Sequence, residues 1–389
     1  MEQARATQSD SRGAAQNFPS KVDDSGRILT IECMNEANES LNTRFGRWSG
    51  SGIPLFTIFS AGFSVLLAIS ISWRLGVLAL IVSGLVSAAL LLTHIVERYG
   101  FPLLEGAMGT TLQWLRARDH RLTRSLTRAL EGIGVELPLV VLLTAALIGG
   151  AWLFFGMLED VVTSDPLIAV DQAVFLVLQS LRSPIADAVL IAITELGDRL
   201  VITAVVVVGL ISLLLIRRWR AALYLGLAAL GSTLFVHSMK LVLHRPRPLE
   251  LYGGISEFSF PSGHATSSLV VYGFLTILLV RSASPALRRA LIASVLSLIV
   301  LISFSRVYLG AHWLSDVVAG LSFGTAWIAG LAILCFRQER GPLPSARLTI
   351  VLAVTAIVAG TWHVSRTHSL DVDRYAPRTL IPSSKTQPQ

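Results

Sequence analysis

Long apolar runs, separated by short polar or basic segments, make up most of this chain. About nine of them are long enough, or nearly so, to cross a bilayer: residues 53–72, 75–95, 137–158, 200–216, 221–239, 265–281, 290–304, 314–335 and 347–364. Lipid offers no hydrogen-bond partner to a bare backbone, so each run is predicted to be a helix that satisfies its own N–H and C=O groups. The expected fold class is therefore all-α, a polytopic transmembrane bundle.

The same pattern divides the chain. Residues 1–52 are polar, rich in Ser, Asn, Asp and Arg, and lack the apolar segment of a cleavable signal. They read as a disordered cytoplasmic tail. Residues 53–95 form a transmembrane hairpin. Residues 96–136 are a basic cytoplasmic linker, in which Leu112, Trp114, Leu115 and the arginines that follow suit a helix lying on an anionic leaflet. Residues 137–336 hold a core of about six helices, and 337–389 add one more transmembrane helix and a tail. Between the third and fourth runs, 165–196 is apolar enough for an interfacial or re-entrant helix.

Composition agrees. The chain is 53% hydrophobic and 15% charged, where a soluble domain carries about 25% charged residues. Its net charge of +7 has a topological origin. Arg98, Arg116, Arg118, Arg121, Arg124 and Arg128, then Arg217, Arg218 and Arg220, then Arg281, Arg288 and Arg289, then Arg337, Arg340 and Arg347 fall on one side if each run crosses once. The positive-inside bias makes that side cytoplasmic, which suits an inner (plasma) membrane with a cytoplasmic N-terminus. No nucleic-acid partner is expected, because bases interleaved with aromatics are missing. Cys33 and Cys335 form no disulfide framework or zinc spacing. Nothing in the pattern sets an oligomeric state.

The outer side is the exception. Arg366, Arg374, Arg378 and Lys385 of the tail sit there against the bias. The loop 240–264 carries Lys240, His244, Arg245 and Arg247, and cations on that side call for an anionic ligand. Three segments on this face carry chemistry. In the first, Lys240 ends a span and Arg247-Pro248 follows, with prolines 246 and 248 holding an extended path. Arginine grips phosphate bidentately and lysine adds a point charge. In the second, Pro261-Ser262-Gly263-His264 precedes an apolar helix. Ser262 sits where an N-cap would, Gly263 lets a ligand approach the backbone, and the helix start favours an anion. The third is Ser305-Arg306, His312 and Asp316. On one helix, His312 and Asp316 would share a face, so the carboxylate would orient the ring and leave its other nitrogen free to attack. Arg306 would be a third cation for the phosphate.

Taken singly, each piece is ordinary: a snorkelling lysine, a solvated loop, a turn, a surface pair. Taken together, in order and on one face of one bundle, they are a site. They resemble the type 2 phosphatidic acid phosphatase superfamily, the lipid phosphate phosphatases. Its signature is Lys-x6-Arg-Pro, Pro-Ser-Gly-His and Ser-Arg-x5-His-x3-Asp, matched here without a substitution over roughly 137–336. The resemblance implies a six-helix core with a site at the outer surface; about three additional transmembrane helices, those of the hairpin and tail, lie outside it and inherit nothing from it. It also implies that His312 attacks phosphorus to give a phosphohistidine, that Asp316 orients His312, and that His264 protonates the leaving oxygen and then activates water. Lys240, Arg247, Ser262, Gly263 and Arg306 would hold the phosphate. The residues alone do not tell His264 from His312 as nucleophile.

The expected function is hydrolysis of a lipid phosphate monoester or an isoprenoid diphosphate within the membrane. No metal or cofactor is expected, since no carboxylate cluster or His/Cys set has ligand spacing. The rivals are a lipid phosphotransferase using the same phosphohistidine, a vanadium haloperoxidase (disfavoured by nine spans) and, in another class, a non-catalytic transporter or scaffold. Glu195 and Asp198 are read as structural or as an entry gate, and Gly320 and Gly324 as helix packing. His94, His120, His237 and His363 are not read as ligands.

Overall fold

A computed structural model describes residues 52–376, apart from 119, 134–136, 164–166 and 339–342. The polar tail ending at residue 52 (bar that last residue), Cys33, Asp165, Pro166, Arg340 and the end of the C-terminal tail, with Arg378 and Lys385, lie outside the described residues. Every regular element among those described is helical.

A hairpin of α1 (Gly52–Ser70) and α2 (Trp73–Arg116) comes first. Helix α2 continues without a break through a π-helical stretch, Val96–Gly100, so the first part of the expected linker is helix rather than loop. The basic α3 (Arg121–Ile133) follows. Then come α4 (Leu137–Thr163), α5 (Leu167–Ser180), α6 (Pro184–Glu195) and α7 (Arg199–Leu215). The chain closes with α8 (Trp219–Leu243), α9 (Gly263–Val280), α10 (Pro285–Tyr308), α11 (Leu314–Gln338) and α12 (Ser345–Arg374). The six long helices α4, α7, α8, α9, α10 and α11 make the core, to which α1, α2 and α12 are added. Eight helices among the described residues are long and apolar enough to cross a membrane, with α6 and α7 taken together as one of them, and exposed Trp152, Leu223 and Ile350 lie on their outward faces. This is a multi-pass membrane protein. In the stretch 165–196, where an interfacial or re-entrant helix is expected, lie two helices, α5 and α6, of 14 and 12 residues. At 1.5 Å per residue α5 is only about 20 Å long, too short to span, whereas α6 runs on into α7 as one candidate span.

Small residues set how closely the core helices approach. A Cβ on Gly150 of α4 would lie 2.7 Å from the Ser322 carbonyl of α11, and one on Gly320 would lie 2.7 Å from Thr266 Oγ1 of α9. Ile202, Val205, Leu225, Val270, Phe274, Ile302 and Ala332 fill the middle of the bundle. Helix α2 packs on α10 through Val86 and Leu90 against Ala293, Leu296 and Val300. Helix α12 lies against α6 and α7.

The two ends of the bundle differ. At one end the basic turns meet: Arg220 donates to the Gln338 carbonyl at 2.7 Å, Arg281 lies over Phe336, and Ser282 Oγ accepts from Leu343 N–H. At the other end lie the last turns of α8 and α10 and the starts of α9 and α11, which carry the candidate residues.

Candidate active site

Lys240 lies in the last turn of α8, Arg306 in the last turn of α10, Ser262 at the N-cap position of α9, and Asp316 in the first turn of α11. Arg247 comes from the loop between α8 and α9. Lys240, Ser262, Arg306, His312 and Asp316 are all buried. All eight candidate residues are brought to this one end of the bundle.

His312 precedes α11 instead of sitting on it, so the expected shared helix face is not how it meets Asp316. The chain turns at Gly310 with φ of +68°, a left-handed value. It then brings His312 Nδ1 to 3.4 Å from Asp316 Oδ2. That carboxylate also accepts from Trp313 N–H at 3.0 Å, the half of a capping box in which the third helical residue reaches back to the cap. His312 Nε2 is 2.9 Å from Arg247 Nη1. A guanidinium can only donate, so Nε2 is the acceptor and the ring proton is on Nδ1, towards Asp316. The tautomer has its lone pair on Nε2.

The surroundings of Nε2 are cationic. Burial first, then the charges of Arg247, Arg306 and Lys240, hold His312 well below the usual imidazole range. Arg247 is pulled down to about 10 by burial and by Arg306, and stays charged. Its Nε donates to the Ser256 carbonyl at 2.9 Å and its Nη1 to that of Ala311. Lys240 Nζ donates to the Phe258 carbonyl at 2.8 Å. No carboxylate forms an ion pair with Lys240, Arg247 or Arg306 among the described residues. Ser262 occupies the N-cap position without capping: its Oγ is fully buried and has no hydrogen-bond partner among the described residues. A Cβ on Gly263 would meet nothing nearer than Val236 Cγ1 at 3.6 Å, so no protein atom requires glycine there. His264, in the first turn of α9, is close enough to act on the charge state of His312.

The sequence of this constellation has relatives. The family model of the PAP2 superfamily matches residues 221–340. A phosphatidylglycerophosphatase B of Bacillus subtilis is 31% identical over 181 residues, covering 44% of this chain and 87% of that protein. The chain belongs to the PAP2 superfamily. An undecaprenyl-diphosphatase of Sulfolobus acidocaldarius is 39% identical over 88 residues, 23% of this chain and 37% of that one. A crystal structure of a transmembrane PAP2-type phosphatidylglycerolphosphate phosphatase from Bacillus subtilis covers 49% of this chain and 98% of its own, with 26% identity and a TM-score of 0.44.

The PAP2 match contains every candidate residue from Lys240 to Asp316. Three residues of the site lie outside it. Asp171 of α5 accepts from Arg245 Nη2 at 2.8 Å and from Ser315 N–H at 2.9 Å. Arg245 also donates to Asp316 Oδ1. The loop cation Arg245, counted at first among those awaiting an anion, is thus neutralised by two carboxylates. Thr194 and Tyr375 lie against Arg306. Of these, only Asp171 carries a signal in the sequence, as an acid inside an apolar run. His363 faces Asp198 at 3.5 Å and His368 faces Glu195 at 3.6 Å, so His363 has a partner that spacing does not reveal. Gly320 and Gly324 lie at the α9–α11 contact, as helix packing requires.

Proposed function

We propose that this PAP2 protein is an integral membrane phosphatase that hydrolyses a lipid phosphate monoester or an isoprenoid diphosphate through a phosphohistidine. The observation that carries the reading is His312 Nε2 accepting from Arg247, set among three cations that form no ion pair with a carboxylate among the described residues. The names of the relatives, a phosphatidylglycerophosphatase and an undecaprenyl-diphosphatase, support the two substrate classes.

In this reading Lys240, Arg247, Arg306, the Ser262 hydroxyl and the Gly263 N–H hold the phosphate oxygens. Arg247 turns from Nε2 to the incoming anion. Nε2 forms the bond to phosphorus as the bond to the leaving oxygen breaks, and His264 gives that oxygen a proton. Asp316 accepts from Nδ1–H and stabilises the positive ring. Water, deprotonated by His264, then attacks phosphorus, inorganic phosphate departs and His312 is regenerated. Fixed donors aimed at the developing charge supply most of the acceleration, and the three cations do so without a metal. The site faces the outer side of the inner membrane, opposite the basic turns.

The test is phosphate release by the purified chain from phosphatidic acid, phosphatidylglycerol phosphate and undecaprenyl diphosphate, with and without excess EDTA. Turnover that survives EDTA and an acid-labile, base-stable phosphoenzyme are expected. Loss with EDTA that magnesium restores would refute the metal-free mechanism. For orientation, cysteine placed at Ser256 in a Cys-free background should react with an impermeant maleimide from outside, and cysteine at Ser284 only from inside.

A further inference from the structure

Arg306 is a buried cation with no ion-pair partner among the described residues. It is 1% exposed, and its partners are three hydroxyl groups. Nη1 donates to Thr194 Oγ1 at 3.1 Å and to Tyr375 Oη at 2.9 Å, and Nη2 donates to Tyr252 Oη at 2.8 Å. The two tyrosine hydroxyls are also hydrogen-bonded to each other. A guanidinium has five N–H groups. Three are used here, and Nε is buried without a hydrogen-bond partner among the described residues. What remains, Nε–H and one hydrogen of Nη2, is the pair of donors with which arginine grips an oxyanion bidentately.

Tyr375 reaches this point from far away in sequence. It follows the last turn of α12, past the PAP2 match. Its backbone N–H donates to the Asp371 carbonyl at 2.9 Å, and its carbonyl accepts from Arg182 Nη2. Arg182 is itself held by a two-point pair with Asp187 at 3.1 Å, and Asp187 accepts from Tyr308 Oη at 2.8 Å. The ring is therefore tethered through its backbone to the α5–α6 region, while its hydroxyl is left to act on Arg306. Tyr252 comes from the outer loop, with Arg247 stacked over its ring at 4.6 Å.

Hydroxyls differ from carboxylates in one respect that matters here. Both would fix the guanidinium plane, but a carboxylate would also cancel the charge and compete with phosphate. We propose that Tyr375, together with Tyr252, is a positioning residue for Arg306, so that the C-terminal helix outside the six-helix core completes the phosphate site. The inference rests on the phosphatase reading above. It assigns α12 a part in catalysis that neither the hydropathy of the helix nor the family motif implies.

The test is a double-mutant cycle on the purified full chain, read as inhibition by orthovanadate, as kcat and KM measured separately, and as thermal melting. Tyr375→Phe keeps the ring and the backbone tether and removes only the hydroxyl. It should weaken vanadate binding roughly 5–10-fold, the size of one lost hydrogen bond, and lower kcat with the melting temperature unchanged. In an Arg306→Lys background, Tyr375→Phe should cost less than twofold, because the group it positions is gone. Tyr252→Phe leaves α12 untouched and should show the same non-additivity, which keeps the test decisive if Tyr375→Phe folds badly. Equal losses in the two backgrounds, or vanadate affinity unchanged in both tyrosine variants, would overturn the inference. Wild-type chain that hydrolyses lipid phosphate while the cycle is additive sinks the inference alone. Wild-type chain that neither hydrolyses lipid phosphate nor binds vanadate sinks the functional reading and the inference with it.

Discussion

Arg245 and Arg247 are two residues apart in one loop and live in opposite electrostatic surroundings. Around Arg245, the carboxylates of Asp171 and Asp316 close a buried, ion-paired network with Ser315. Around Arg247, the hydrogen-bond partners are His312 and carbonyl oxygens, the cations Arg306 and Lys240 are near, and the Asp316 carboxylate acts on it without pairing with it. The difference separates structure from binding. A paired buried charge is satisfied within the fold and is costly to unpair. A cluster of like charges without counter-charge is an unfavourable arrangement that an anionic ligand relieves. His312 sits between the two regions, with one ring nitrogen towards each.

The sharpest way to break the comparison is His312→Ala. It should abolish both turnover and the trapped phosphoenzyme, and phosphoenzyme that persisted there but vanished in His264→Ala would reverse the assignment. Asp316→Asn joins the two regions. Loss of the orienting carboxylate should cut kcat on the order of 10³–10⁴-fold, while vanadate still binds because the three cations are intact. Wild-type kcat in this variant would show that Asp316 only supports Arg245.

The pair Arg247→Gln and Arg245→Gln tests the contrast directly. Arg247→Gln should lower kcat/KM on the order of 10²–10³-fold and leave thermal melting in detergent unchanged. Arg245→Gln strands Asp171 and Asp316 without their cation and should destabilise the fold by about 3 kcal/mol. Exchanged phenotypes would mean that the roles had been misassigned. A subtler effect follows from pH. His312 is held below 6.5 partly by Arg247, so removing that charge raises its pKa. In mild acid the variant ring then becomes protonated where the wild-type ring is still neutral and nucleophilic. The ratio of variant to wild-type kcat/KM, in which substrate ionisation cancels, should fall as pH drops from about 7 to about 5. A flat ratio would count against His312 as the group that titrates.

Gly263→Ala is the smallest change. The nearest protein atom to the added methyl is 3.6 Å away, so melting should hold. A methyl beside the phosphate should weaken vanadate binding several-fold, on the order of one displaced contact. Unchanged vanadate affinity would place the anion away from the α9 start.

Sequence by itself determined the helical class, the rough position of each long helix and the motif residues that gather at one end of the bundle. Hydropathy records immersion in lipid, and a helix in lipid has no alternative partner for its backbone. It does not record where a helix stops once it leaves lipid. The run at 290–304 becomes Pro285–Tyr308, which puts Arg306 inside the last turn of α10, and the run at 347–364 becomes Ser345–Arg374, which carries Tyr375 to the site. The motifs were legible because Lys240 to Arg247, Pro261 to His264 and Arg306 to Asp316 each lie within eleven residues of chain or fewer.

Only the tertiary structure decided what those groups meet. Asp171 reaches Ser315 across 144 residues, and Thr194 and Tyr375 reach Arg306 across 112 and 69. No local periodicity encodes such pairs, because they depend on which helix ends pack side by side. Positions two residues apart in one loop can therefore part ways, with Arg245 paired to acids from α5 and α11 and Arg247 left charged beside His312.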